Sequence, residues 1–134
     1  MPGSIASRWP VVVKLPVDGA DRDKDGHLTA GAVERLFATA RSAYFARCAT
    51  IDEPGLALLT CAIRVGAVVE GNHVTVAVNV TEVFPESFRL EARIRPEQGE
   101  GIAATATCSV SPGLVSTAMR DEFIALAQSA AHYH

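Results

Sequence analysis

Asp21-Arg22-Asp23-Lys24-Asp25-Gly26-His27-Leu28-Thr29 runs straight into a strongly helical stretch, and its reading decides the fold. Three alternating carboxylates followed by Gly resemble the start of a calcium loop. Such a loop takes oxygen ligands at positions 1, 3, 5, 7 and 9, Gly at 6 and a bidentate Glu at 12. Counting from Asp21 puts Asp23, Asp25, Gly26 and Thr29 in place, but position 12 is Ala32, which has no side-chain oxygen. Counting from Asp23 brings Glu34 to position 12 and puts Leu28 where Gly is needed. An EF-hand also needs a helix ahead of the loop. The stretch from Trp9 to Val17, with two prolines and a β-branched run, is poor helix material. No second loop occurs to pair with the first. The segment is expected to hold no structural calcium, and no other metal site is read from the chain.

Outward from this loop the order of elements is clear. From about Ala30 to Arg47 the residues Val33, Leu36, Phe37, Ala40 and Tyr44 recur at i, i+3, i+4, i+7 and i+11, one face of a helix. Thr29 can cap it, its hydroxyl accepting a first-turn N–H. Val11 to Val17 reads as a strand ahead of the loop. After a connection through Pro54-Gly55 come four strand-like segments: Leu56 to Val69, Val74 to Thr81, Phe88 to Arg95 and Ile102 to Val110. The last three alternate apolar with polar or small residues, the period of a sheet with one buried face. Glu70-Gly71-Asn72, Phe84-Pro85-Glu86 and Glu97-Gln98-Gly99-Glu100-Gly101 are read as turns between them. Leu114 to Ala131 is helical by composition. A strand, one long helix, an antiparallel run and a terminal helix make an α+β domain. The most economical packing wraps the sheet around the long helix.

Size and composition agree with a single domain over residues 1–134. Twelve basic and fifteen acidic residues leave a net charge of −3, which argues against binding nucleic acid through bulk charge. A hydrophobic fraction of 49% implies a substantial core or buried interfaces. Cys48, Cys61 and Cys108 lack C-x-x-C spacing and read as small buried apolar residues of a reducing compartment. The N-terminal stretch offers Arg8 and a short valine run broken by Lys14, too little for a signal core. The uncharged run from Gly101 to Met119 holds six Ser or Thr residues and Pro112, which does not make a membrane span. A cytoplasmic protein is expected.

The loop and the order of elements together resemble the hotdog-fold acyl-CoA thioesterase superfamily, the 4-hydroxybenzoyl-CoA thioesterase type in particular. The likeness in element order covers essentially the whole chain, and the motif about 20 residues of it. In that family the loop before the central helix runs D-x-D-x-x-G, and its second Asp is the catalytic carboxylate. That position is Asp23. The family polarises the thioester carbonyl with a backbone N–H four residues after the Gly, which falls on Ala30. The resemblance thus implies Asp23 as nucleophile or general base, with Gly26, His27, Thr29 and Ala30 forming the substrate-binding turn. Asp21 and Asp25 are expected on the solvated side of the loop. The substrate would be an acyl-CoA or an acyl group on acyl carrier protein, with no cofactor. A homodimer or homotetramer is expected, since an exposed sheet edge is normally paired. This chain departs from the family in carrying Val33 where many relatives have Tyr, and Ala38 where an E-x-x-R pattern ending at Arg41 would have Glu.

The chemistry suits the residues. Thioester hydrolysis develops negative charge on the carbonyl oxygen, and a helix N-terminus offers free N–H donors there. A carboxylate opposite can attack or activate water, and three neighbouring acids could raise one another's pKa. Other residues read as structural: His27 as a turn histidine, Glu34 as solvated, and Arg89, Arg93 and Arg95 as a surface stripe with Glu91 rather than a phosphate site. His132 and His134 are not proposed as ligands. The departures from the family keep open a non-catalytic acyl-binding or assembly module. A dehydratase fits less well, because Arg41 stands where a second acid would follow His27 and no D-x-N-P-x-H run occurs.

Overall fold

Alternating apolar side chains build one curved sheet, and a single amphipathic helix fills its concave face. The computed structural model describes residues 9–131. Chain order is β1 (Val11–Pro16), α1 (Ala30–Phe45), β2 (Ala57–Val65), β3 (Glu70–Val83), β4 (Phe88–Gln98), β5 (Ala104–Ser111) and α2 (Thr117–Ala131). The sheet order is β1-β3-β4-β5-β2 and every pairing is antiparallel. Helix α1 touches β1, β3, β5 and β2, both edges included, so the sheet wraps around it. This is the α+β architecture expected from the sequence.

The residues predicted for the helix face, Val33, Leu36, Phe37, Ala40 and Tyr44, are fully buried. They meet the inward side chains Val74, Val76 and Val78 of β3, Leu90 and Ile94 of β4, and Cys108 of β5 in one core. Thr29 caps α1 as expected, its Oγ1 accepting the Ala32 N–H at 3.1 Å. At the far end, Tyr44 and Phe45 of α1, Phe88 of β4 and Phe123 of α2 form an aromatic cluster that docks the terminal helix. Glu122 fastens the same helix, accepting the Ala49 N–H at 2.6 Å, the Thr50 N–H at 3.0 Å and the Thr50 hydroxyl.

Several boundaries differ from the sequence reading, each for a local reason. The segment Leu56 to Val69 is not one strand. It breaks at Gly66, whose N–H bonds to Ala103 O at 2.8 Å where a Cβ would drive into the carbonyl oxygen of Ile102. Glu70-Gly71-Asn72, read as a turn, lies inside β3. Gly71 takes a positive φ of 87° within a register shift between Glu70 and Val74, so the strand bulges and continues. Glu97 and Gln98 likewise extend β4. Helix α2 starts at Thr117 rather than Leu114, with the Ser116 hydroxyl accepting the Met119 N–H at 3.1 Å.

Cysteine placement also needs correction. Cys48 and Cys108 are buried as expected, but Cys61 is exposed. It sits on β2, an edge strand that α1 covers poorly. Every β2 residue except the half-buried Ile63 is exposed.

Candidate active site

The acidic loop is closed by its own backbone before any side chain acts. Asp18 and Asp21 cap a short turn reciprocally: the Ala20 N–H donates to Asp18 Oδ1 at 2.8 Å, and the Asp18 N–H donates to Asp21 Oδ2 at 3.0 Å. The Thr29 N–H donates to Asp21 O at 3.0 Å, and Arg22 bridges to Leu28 across the loop. Within that bridge, the Asp23 N–H donates to His27 O at 2.8 Å and the Gly26 N–H to Asp23 O at 3.1 Å. Gly26 is required here, at a φ of 90°. Buried Leu28 anchors the loop in the core. The other side is tied to the start of β3, by the Val69 N–H on Gly26 O at 2.9 Å and the Arg22 guanidinium on Gly71 O at 2.9 Å.

Asp23 sits at the centre of this ring. Its Oδ1 accepts the Asp25 N–H at 2.8 Å and the His27 N–H at 3.0 Å. Among the described residues, no hydrogen bond is made to Oδ2. The bond from the His27 backbone chiefly holds the carboxyl below the ordinary 3.8; slight burial opposes it, and the Asp25 N–H and His27 charge assist. The expectation that neighbouring acids raise one another's pKa is therefore overturned, because backbone donors outweigh carboxylate repulsion here. The side chain is 46% exposed, and His27 Nδ1 lies 3.7 Å from Oδ1.

Asp21, expected on the solvated side, is instead drawn inward. Only 17% of its side chain is exposed, and Arg35 of α1 meets its Oδ2 at 2.9 Å. The Asp18 N–H, then Arg35 and Arg22, hold its carboxyl below 3.8 despite some burial. Asp25 does lie in solvent. Sequence reading missed Arg35 and Asp18 as organisers of the loop. The D-x-x-D spacing of Asp18 and Asp21 was the available signal, since reciprocal capping works at that separation.

The turn therefore brings Asp23, Gly26, His27, Thr29 and Ala30 onto one closed loop at the start of α1. The first helical N–H groups have no intrahelical partner. That of Ala32 is taken by Thr29, whereas among the described residues none accepts from Ala30 or Gly31. Both residues are exposed. Beside the Gly66 turn that buttresses the loop lies an apolar cleft of about 230 Å³ lined by Val65, Gly66, Ile102 and Ala104, among others. Glu34 is solvated. Arg89 pairs with Glu82 and Arg93 lies over the Trp9 ring, so the arginine stripe belongs to the outer surface of the sheet. His132 and His134 lie outside the described residues. Among the described residues, no group of three His, Cys, Asp or Glu side chains is placed to share an ion, and no helix is long and apolar enough to cross a membrane.

No family model and no curated protein sequence matches the chain. Solved structures do. A thioesterase from Thermus thermophilus, complexed with coenzyme A and zinc, superposes with a TM-score of 0.78 at 23% identity, over 90% of this chain and 96% of that one. A thioesterase-superfamily protein from a Jannaschia species gives 0.75 at 18% identity, over 94% and 89%. The 1,4-dihydroxy-2-naphthoyl-CoA thioesterase of Synechocystis gives 0.69 at 15%, over 85% and 95%. The chain has the hotdog fold.

Proposed function

We propose that this protein hydrolyses acyl thioesters, with Asp23 as the catalytic carboxylate and the Ala30 N–H as the donor to the carbonyl oxygen. The observation that carries the reading is the closed loop, which fixes an ionised, half-exposed carboxylate beside a helix N-terminus with free N–H groups. The solved thioesterases of the same fold support it. As charge builds on the thioester oxygen, the α1 N-terminus stabilises it with a donor and a positive dipole end. Asp23 then acts in one of two ways. Its free oxygen attacks the carbonyl carbon and the C–S bond breaks; water cleaves the resulting anhydride. Alternatively it takes a proton from water, whose oxygen attacks instead. Either path releases a carboxylic acid and a thiol. Gly26 and His27 shape the turn, and Thr29 fixes the helix start.

The reading extends to a homodimer or homotetramer, with the site between copies. Leu58, Leu59 and Val65 of edge strand β2 are 53%, 55% and 38% exposed. Leu58 and Val65 pair with buried Val110 and Ala104, so they share the concave face that α1 leaves open. A second copy paired along β2 would cover that face and supply the missing wall of the acyl cleft. The acyl carrier is coenzyme A or acyl carrier protein, and the cytoplasm is where such substrates and three free thiols coexist. The test is hydrolysis of a panel of acyl-CoAs of graded chain length, repeated with acyl carrier protein thioesters. Val33 and Ala38, which replace the Tyr and Glu of many relatives, favour a second reading as an acyl-binding module. Binding without turnover across the panel would select it.

A further inference from the structure

Cys61 of β2 and Cys108 of β5 stand directly opposite one another in the antiparallel register. Opposed residues project from the same face of the sheet, with Cβ atoms about 4.5–5.5 Å apart. Cys108 is sealed in the core while Cys61 reaches solvent. Burial raises the Cys108 thiol to about 11, the Arg41 guanidinium pulls it the other way, and the nearby Cys61 adds to the rise. The two sulfurs are thus within electrostatic reach of each other. Cys48 has no such neighbour: it is buried behind α1, its Sγ 3.7 Å from Tyr44 O.

We infer that Cys61 and Cys108 form a cross-strand dithiol site that a peroxide closes to an intrachain disulfide. The exposed Cys61 thiolate attacks a peroxide oxygen; the S–O bond forms, the O–O bond breaks, and the departing hydroxide becomes water on protonation. The Cys108 sulfur then attacks the sulfenic sulfur of Cys61. The S–S bond forms, the S–O bond breaks, and the leaving hydroxide carries off the Cys108 proton as water. The two thiols lose two electrons and the peroxide gains them.

The strand geometry makes this bond reversible. A disulfide draws Cβ atoms to about 3.5–4.5 Å, so the strands must close by about 1 Å. β2 can yield, because it is an edge strand that pairs with β5 alone among the described strands and carries an irregularity between Leu58 and Thr60. A disulfide formed against such a constraint is readily reduced, as suits transient oxidation in a reducing compartment. The second copy proposed along β2 would cover the concave face on which Cys61 stands between Leu58 and Val65, so peroxide reaches Cys61 where that face is open. The pairing of the two thiols does not depend on the thioester reading.

The experiment treats the full chain with hydrogen peroxide, alkylates remaining thiols in denaturant and maps unreduced peptides by mass spectrometry. Free thiols should fall from three per chain to one, at Cys48, with the Cys61 and Cys108 peptides joined. Dithiothreitol should restore all three. Cys61→Ser, at an exposed position, should slow loss of the Cys108 thiol at least about tenfold. Conversion of Cys61 to sulfinic acid with Cys108 still reduced overturns the inference. So does a Cys61–Cys61 link between chains, seen as a covalent dimer on a non-reducing gel, or an unchanged Cys108 rate in the Cys61→Ser variant.

Discussion

Asp23→Asn isolates charge from architecture at the proposed site. Asn retains an oxygen in the place of Oδ1, so it can still accept the Asp25 and His27 N–H groups now met at 2.8 and 3.0 Å. The loop should stay closed and the melting temperature should barely move. What disappears is the negative charge at Oδ2, the oxygen available for attack or for taking a proton. Loss of that help should lower kcat by about a hundredfold or more, with KM little changed. Asp23→Ala removes the acceptor as well, so it should lose activity and also open the loop, seen as faster proteolysis between Asp21 and Thr29. Asp25→Asn, in solvent and with no side-chain bond among the described residues, should cost less than about tenfold. The assay is release of free coenzyme A thiol from the best acyl-CoA of the panel. The pH profile gives a second check. The Asp23 carboxyl is held below 3.8, so wild-type kcat/KM should keep Asp23 ionised down to that pH, with its acid limb below it. Wild-type turnover that survives Asp23→Asn within about threefold would refute the assignment.

Three further outcomes are expected. Thr29→Ala frees the Ala32 N–H and should cost about 1 kcal/mol of stability, measured by urea unfolding. Glu122→Ala removes three bonds to Ala49 and Thr50 and should cost roughly 1–2 kcal/mol, allowing for its partial exposure, and lower Tm by several degrees. Burial works against the Glu122 carboxylate, but the Thr50 and Ala49 donors outweigh it and hold its pKa below 4.5. The folded state thus binds fewer protons there than the unfolded chain. Its contribution is full above pH 4.5 and is lost as pH falls through the lowered folded value, so the variant should lose less stability than wild type on acidification below pH 4.5. Leu58→Glu places a charge on the open face of β2 and should yield monomers by light scattering at micromolar concentration; an unchanged assembly would show that the copies meet elsewhere.

Most of the fold was legible because periodicity reports burial. The spacing from Val33 to Tyr44 located the buried face of α1, and the alternation from Val74 to Val80 located that of β3. What periodicity could not show was where backbone geometry overrides composition. Glu70-Gly71-Asn72 has turn chemistry, yet the Gly71 bulge carries the strand through it. Leu56 to Val69 has unbroken strand chemistry, yet Gly66 ends it because of the Ile102 carbonyl, which belongs to a distant part of the chain. The exposure of Cys61 was hidden for a related reason: whether an apolar strand is central or at an edge depends on sheet order, which no local pattern encodes.

The candidate site was legible as a loop motif, and its electrostatics were not. Counting carboxylates suggested mutual repulsion and raised pKa values, whereas the loop supplies a backbone donor for nearly every acid it carries. The consequence bears on mechanism. A carboxylate held below 3.8 is ionised throughout the physiological range. A lowered pKa weakens the carboxylate both as a base and as a nucleophile, so it does not choose between direct attack on the thioester and deprotonation of water. The hydrogen bonds from Asp25 and His27 fall on Oδ1. Single turnover in ¹⁸O-labelled water distinguishes the paths. Direct attack followed by water adding to the Asp23 carbonyl leaves ¹⁸O in the Asp23 carboxylate and unlabelled acid product. General-base catalysis labels the acid alone. Label confined to the product, with Asp23→Asn still inactive, leaves water activation or an anhydride opened at its acyl carbon, and trapping of the anhydride with hydroxylamine separates those two.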